Sequence, residues 1–131
     1  MKRVGVIINP KRARAENTLE QLRAAALRHG WELVCDQLEM AERLSASSME
    51  VGSFANEVDL VLALGGDGTV LYAAHALMGS SVPVLGINLG RLGFLTAVAE
   101  DELAEVLDQV ALGDYELHER EGALATWHSV D

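Results

Sequence analysis

Residues 62–71 read "LALGGDGTVL": an apolar run, then three glycines and one aspartate, then the start of a helical pattern. Two chemistries need such a stretch. Gly65, Gly66, Gly68 and Thr69 can serve as a plain strand-to-helix corner, with Asp67 or Thr69 capping the helix. The same turn can cradle phosphate oxygens on successive N–H groups at the positive end of the helix. A carboxylate beside bound phosphates is repulsive unless it faces a hydroxyl and takes its proton during transfer, which is the role open to Asp67. One glycine suffices for a corner, and three leave the backbone bare, which favours close approach by a ligand. A hairpin is disfavoured, because a continuous apolar run precedes the Asp-Gly pair and a helical pattern follows it. No GxxxxGK[ST] is present, and no GxGxxG is followed at the proper distance by an acid.

The elements around this turn alternate. "VGVII" (4–8), "WELVCDQL" (31–38), "VDLVLALG" (58–65) and "VPVLGIN" (82–88) read as short strands, the first and third as strands covered on both faces. Helical patterns run from about 13 to 29, closed by Gly30, and over 69–79 and 100–113. The first carries Leu19, Leu22 and Ala26 on one stripe, and the last carries Leu103, Val106, Leu107 and Val110. Residues 39–57 are polar and weakly helical, and the Ser/Ala/Met-rich patch at 45–50 reads as loop. The result is an α/β chain with a parallel sheet and flanking helices. Both glycine loops, at 65–68 and 90–93, follow strands and so fall on the edge where such sheets bind ligands.

Composition narrows the partners. The 131 residues carry 10 Lys and Arg against 20 Asp and Glu, a net charge of −10. That opposes non-specific nucleic-acid binding and docking on anionic membranes. An anionic ligand must then be met by backbone amides, a helix terminus, a few Lys or Arg, or a metal ion. The lone Cys35 reads as a buried, inert thiol in a reducing cytoplasm. No signal peptide or membrane-spanning run is legible. His75 reads as a packed or surface side chain, His118 and His128 lack metal-ligand spacing, and Tyr72 reads as core.

"GGDGT" at 65–69, followed by "GINLGRLGFL" at 86–95 and preceded by "VGVIINPKR" at 4–12, resembles the amino-terminal domain of NAD kinases. Lipid kinases of the diacylglycerol and sphingosine type carry the five-residue motif too, and "GINLGRLGFL" is what singles out NAD kinase. The resemblance implies a Rossmann-like α/β domain over residues 1–113. It implies transfer of the terminal phosphoryl group of ATP or polyphosphate, with magnesium, to the 2′-hydroxyl of the adenosine ribose of NAD. Asp67 then stands as the catalytic base, and Gly65, Gly66, Gly68 and Thr69 shape the phosphate site. Leu92, Gly93 and Phe94 line the adenosine pocket. Asn88 either orders the second loop or touches substrate. Asn9, Lys11 and Arg12 either reach phosphates or form a solvated turn, the turn being favoured. A homo-oligomer is implied as well.

The family has a second, mostly β domain bearing an Asn-Asp or Asn-Glu pair that holds NAD. Residues 114–131 are expected to begin the crossing to it, and no such pair occurs in them. The 131-residue chain alone is therefore expected to be inactive. Two other readings stay open: a non-catalytic nucleotide-binding and oligomerisation module, and a lipid kinase domain.

Overall fold

A computed structural model describes residues 2–9, 16–88, 98–99, 103–112, 116–120 and 122–126. Strand β1 (Arg3–Ile8) lies at the centre. On one side it pairs in parallel with β2 (Glu32–Cys35), and β2 with the two-residue β3 (Ser47–Ser48). On the other side it pairs in parallel with β4 (Leu60–Gly65), and β4 with β5 (Val84–Asn88). β6 (Val98–Ala99) runs beside the last two residues of β5, and β8 (Gly122–Thr126) beside its first two. β7 (Glu116–Arg120) pairs antiparallel with β8, so the order is β3-β2-β1-β4-β5-β8-β7. The Ser47–Ser48 strand corrects the reading of 45–50 as loop. Its pairing with β2 is made by backbone alone, and two residues are too few to show a side-chain period.

The strand residues divide by parity, as the pleat requires. Val4, Val6 and Ile8 of β1, with Leu60, Leu62 and Leu64 of β4, enter one apolar cluster. Helices α1 (Glu16–His29) and α5 (Leu103–Ala111) cover that face through Leu19, Leu22, Ala25 and Ala26 and through Leu103, Val106, Leu107 and Val110. The short α2 (Leu38–Leu44) adds Met40, Ala41 and Leu44. Ile7, Val61 and Ala63 enter the opposite cluster, closed by α4 (Asp67–Ala76) through Val70 and Ala73. Phe54, the first residue of α3 (Phe54–Glu57), belongs to it too and is fully buried. A Cβ on Gly5 would stand 2.9 Å from the Phe54 ring, so this strand position holds glycine because a ring occupies the space. Three layers, α/β/α, result.

One cross-link ties the two helices of the first face. Asp108 of α5 takes hydrogen bonds from Arg28 Nη2 at 2.9 Å and His29 Nε2 at 2.8 Å, at the end of α1. Among the described residues, no helix is long and apolar enough to cross a membrane.

Candidate functional site

Strand order determines where a ligand can sit. From β1 the chain steps outward to β2 and β3, then returns to place β4 on the other side of β1. The carboxyl ends of β1 and β4 thus flank a reversal of direction, where loops part and leave a crevice. A cleft of about 430 Å³ opens there, lined by Ile7, Ile8, Asn9, Asp36, Gln37, Gly66, Asp67, Gly68, Thr69 and Tyr72.

The glycine turn forms one wall. Ile8 pairs with Leu64, and the Asn9 N–H donates to the Leu64 carbonyl at 3.0 Å, which locks the end of β1 to the start of the turn. Gly65 is buried at that junction, and a Cβ on it would collide with Thr69 Oγ1 and stand 3.3 Å from Asn9 Cβ. Gly65 is therefore required by packing. Gly68 is the opposite case: it is exposed, and nothing lies within 4 Å of the place its Cβ would take. The protein itself does not need that position empty.

Helix α4 begins at Asp67, two residues before the pattern read from sequence, and its N-cap is Gly66, with no side-chain capping bond. This corrects the alternative in which Asp67 or Thr69 caps the helix. A glycine cap provides no side-chain oxygen for the first-turn amides, and the positive end of the dipole opens on the cleft. Asp67, half-buried in that first turn, lines the same cleft.

Tyr72 is also corrected. Its side chain is 50% exposed and lines the cleft, one turn along α4 from Gly68. The helix buries Val70 and Ala73 against the sheet, which turns positions 68 and 72 outward. Sequence reasoning missed Asp36 and Gln37 too. They follow β2, and the β1–β2 register brings them level with the end of β1. Burial raises the carboxyl of Asp36 above its ordinary range and raises the thiol of buried Cys35 likewise.

The remaining expected residues separate. Asn88 is 1% exposed, pairs with Gly65 across the β4–β5 ladder and is not among the described residues that line the cleft. Leu92, Gly93, Phe94, Lys11 and Arg12 lie outside the described residues. Asn88, the third residue of the second motif, and Val98–Ala99, which follow the motif, meet at the carboxyl end of β5, where Asn88 pairs with Ala99. His75 is exposed on α4, as a surface histidine.

A family profile described as the ATP-NAD kinase N-terminal domain matches residues 4–115. This chain belongs to the NAD kinase family. It is 34% identical over 125 residues to an NAD kinase of Chlorobium phaeobacteroides, covering 95% of this chain and 43% of that protein. An NAD kinase of Nocardia farcinica is 58% identical over 62 residues, which is 47% of this chain and 19% of that one. In three dimensions the chain is similar to yeast NADH kinase, solved in complex with NADH. The TM-score is 0.68 and the identity 19%, over 96% of this chain and 46% of the yeast one. That likeness shows the α/β fold. The chain spans less than half the length of these NAD kinase relatives, and the lipid-kinase reading falls away.

Proposed function

We propose that this chain is the phosphate-binding half of an enzyme that moves the terminal phosphoryl group of ATP or polyphosphate to the 2′-hydroxyl of the adenosine ribose of NAD. The observation that carries the reading is the placement of Asp67. It occupies the first turn of α4, in a cleft at the reversal of strand order, on a helix whose cap is a bare glycine. Phosphoryl transfer asks a protein mainly for positioning and charge stabilisation. The amide-rich turn can hold phosphate oxygens, and Asp67 accepts the proton of the attacking hydroxyl. Gly68 keeps the approach open, and Gly65 and Thr69 hold the shape of the turn. Asn88 supports the turn from behind. In this reading Asn9 edges the phosphates, Lys11 and Arg12 continue that turn, and Leu92, Gly93 and Phe94 receive the adenosine of NAD.

Among the described residues, no three His, Cys, Asp or Glu side chains come together to hold a metal. The residues present fit a magnesium ion carried on substrate phosphates rather than one caged by protein. Such an ion would offset phosphate charge, leaving the turn amides to hold phosphate oxygens and Asp67 to take the hydroxyl proton.

Residues 1–113 form the nucleotide-binding unit in this reading, and 114–131 lead toward a second domain that completes the acceptor site. Homo-oligomeric assembly and a cytosolic setting belong to the same proposal, the latter supported by a single buried thiol that calls for no oxidising compartment. The test is NADP formation with NAD, magnesium, and ATP or polyphosphate, by the chain alone and with an added carboxy-terminal NAD kinase domain. Product on complementation supports a half-enzyme. Nucleotide binding with no product under either condition would instead make the chain a non-catalytic binding module.

A further inference from the structure

The cleft contains a second carboxylate that phosphoryl transfer does not use. Asp36 follows β2, on the opposite side of β1 from the glycine turn, and lines the same cavity as Asp67. Helix α2 is capped at Gln37, without a side-chain capping bond. No Lys or Arg among the described residues pairs with Asp36, and the Cys35 thiol, 4.0 Å from Oδ1, is a weak neighbour. Its place is nonetheless held firmly. The Gln37 side-chain amide donates to the Ile8 carbonyl at 3.2 Å, tying the loop after β2 to the end of β1.

A carboxylate beside an anionic ligand is tolerable only if it meets a cation or neutral donors. The described lining residues include no cationic side chain. Neutral donors on a ligand suit Asp36 there. A ribose offers two adjacent hydroxyls, which match the two oxygens of one carboxylate, and Asp36 lies at the carboxyl edge of the sheet, where open α/β sheets take ligands. The separation also fits. β2 and β4 are two strand spacings apart, about 9–10 Å, so phosphates on the turn after β4 leave a nucleoside sugar room to reach across β1.

We propose that Asp36, positioned by Gln37, receives the ribose diol of a nucleotide whose phosphates lie on the 66–69 turn, so that the cleft prefers nucleotides to inorganic polyphosphate. This deepens the reading above and rests on it. Polyphosphate presents only anionic oxygens to Asp36 and gains nothing from it.

Calorimetric titration tests this with the 131-residue chain and Asp36→Asn, using ATP, 2′,3′-dideoxy-ATP, NAD and inorganic tripolyphosphate, each with magnesium. ATP is expected to bind the native chain about tenfold more tightly than its dideoxy analogue, in the range of one hydrogen-bonded charged group. Asp36→Asn is expected to remove that preference and leave tripolyphosphate unchanged. A loss on substitution seen with NAD and not with ATP assigns the diol to the acceptor and keeps the inference. Equal weakening of ATP and tripolyphosphate overturns it, since Asp36 then acts on phosphates or their cation. Equal binding of ATP and dideoxy-ATP by the native chain, together with unchanged NAD binding on substitution, overturns it without recourse to a variant. Tripolyphosphate binding with no such preference sinks this inference alone, whereas failure to bind all four ligands sinks the phosphate-turn reading as well.

Discussion

Gly65 and Gly68 are one residue type in one motif, yet the structure gives them opposite reasons. Alanine at 65 must push into Thr69 and Asn9, both short side chains on fixed backbone. Gly65→Ala is therefore expected to cost about 1–3 kcal/mol, read as a lower denaturation midpoint. Alanine at 68 meets nothing and sits in a helix. Gly68→Ala is expected to leave stability unchanged or raise it by up to about 1 kcal/mol, while weakening ATP binding because its methyl enters the ligand's path. If Gly68→Ala binds ATP as tightly as the native chain, the open space there has no ligand to serve. Asp67→Asn, in a version completed by the second domain, is expected to lower NAD phosphorylation by about a hundred- to ten-thousand-fold with ATP still bound. Asp36 gives a pH-dependent signature. Burial raises its folded pKa, so folding favours the protonated form, and stability falls as pH rises from the ordinary value of 3.8 through the raised one. Asp36→Asn should then melt higher than the native chain near neutral pH, and the gap should close below pH 3.8. A variant that melts lower at neutrality would contradict this. The glycines and Asp67 were legible as one strand-to-helix turn because they are contiguous. Asp36 was not, since 30 residues and a strand register separate it from the turn it faces.

Elements were legible where side-chain period was long enough to speak. The stripe of Leu103, Val106, Leu107 and Val110 is buried as the helical spacing implies, and so is that of Leu19, Leu22 and Ala26. Tyr72 shows where the period alone misleads. α4 is apolar on more than one side, with Leu71 59% and Tyr72 50% exposed, so which stripe goes inward is settled by contact with the sheet. The α1–α5 cross-link adds a prediction at this level. His29, then Arg28, hold the Asp108 carboxyl below its ordinary value. The stabilisation is present above pH 3.8 and is lost as pH falls through the lowered folded value. Asp108→Asn is expected to melt slightly below the native chain near neutral pH, by less than about 1 kcal/mol because the pair is half exposed, and to match it in strong acid. The difference should shrink in high salt. A gap that persists in strong acid would show that packing, not charge, is lost.

At the scale of the molecule, the cleft gathers the glycine turn, Asp67 and Asp36, while the chain spans less than half the length of its NAD kinase relatives. A ligand that binds only the folded state adds stability by mass action, about 2.7 kcal/mol at a hundredfold excess over its dissociation constant. ATP with magnesium is thus expected to raise the melting temperature of this chain by itself, and Asp67→Asn should preserve the shift. Turnover, by contrast, should await the second domain, because positioning of both reactants supplies much of the rate. NADP formed by the chain alone would show that copies of it complete the acceptor site among themselves.

Local pattern was enough to determine the alternation of strands and helices, the parallel sheet, and the place of the 65–69 turn between a strand and a helix. These depend on neighbouring residues, whose periodicity and backbone freedom are properties of the chain itself. Only the tertiary structure decided that the sheet reverses direction at β1 and β4, that Gly68 faces open space while Gly65 faces Thr69, and that Tyr72 and Asp36 join Asp67 in one cleft. Those outcomes rest on which strands pair and in what register, and pairing is a contest among distant segments that no short stretch can report.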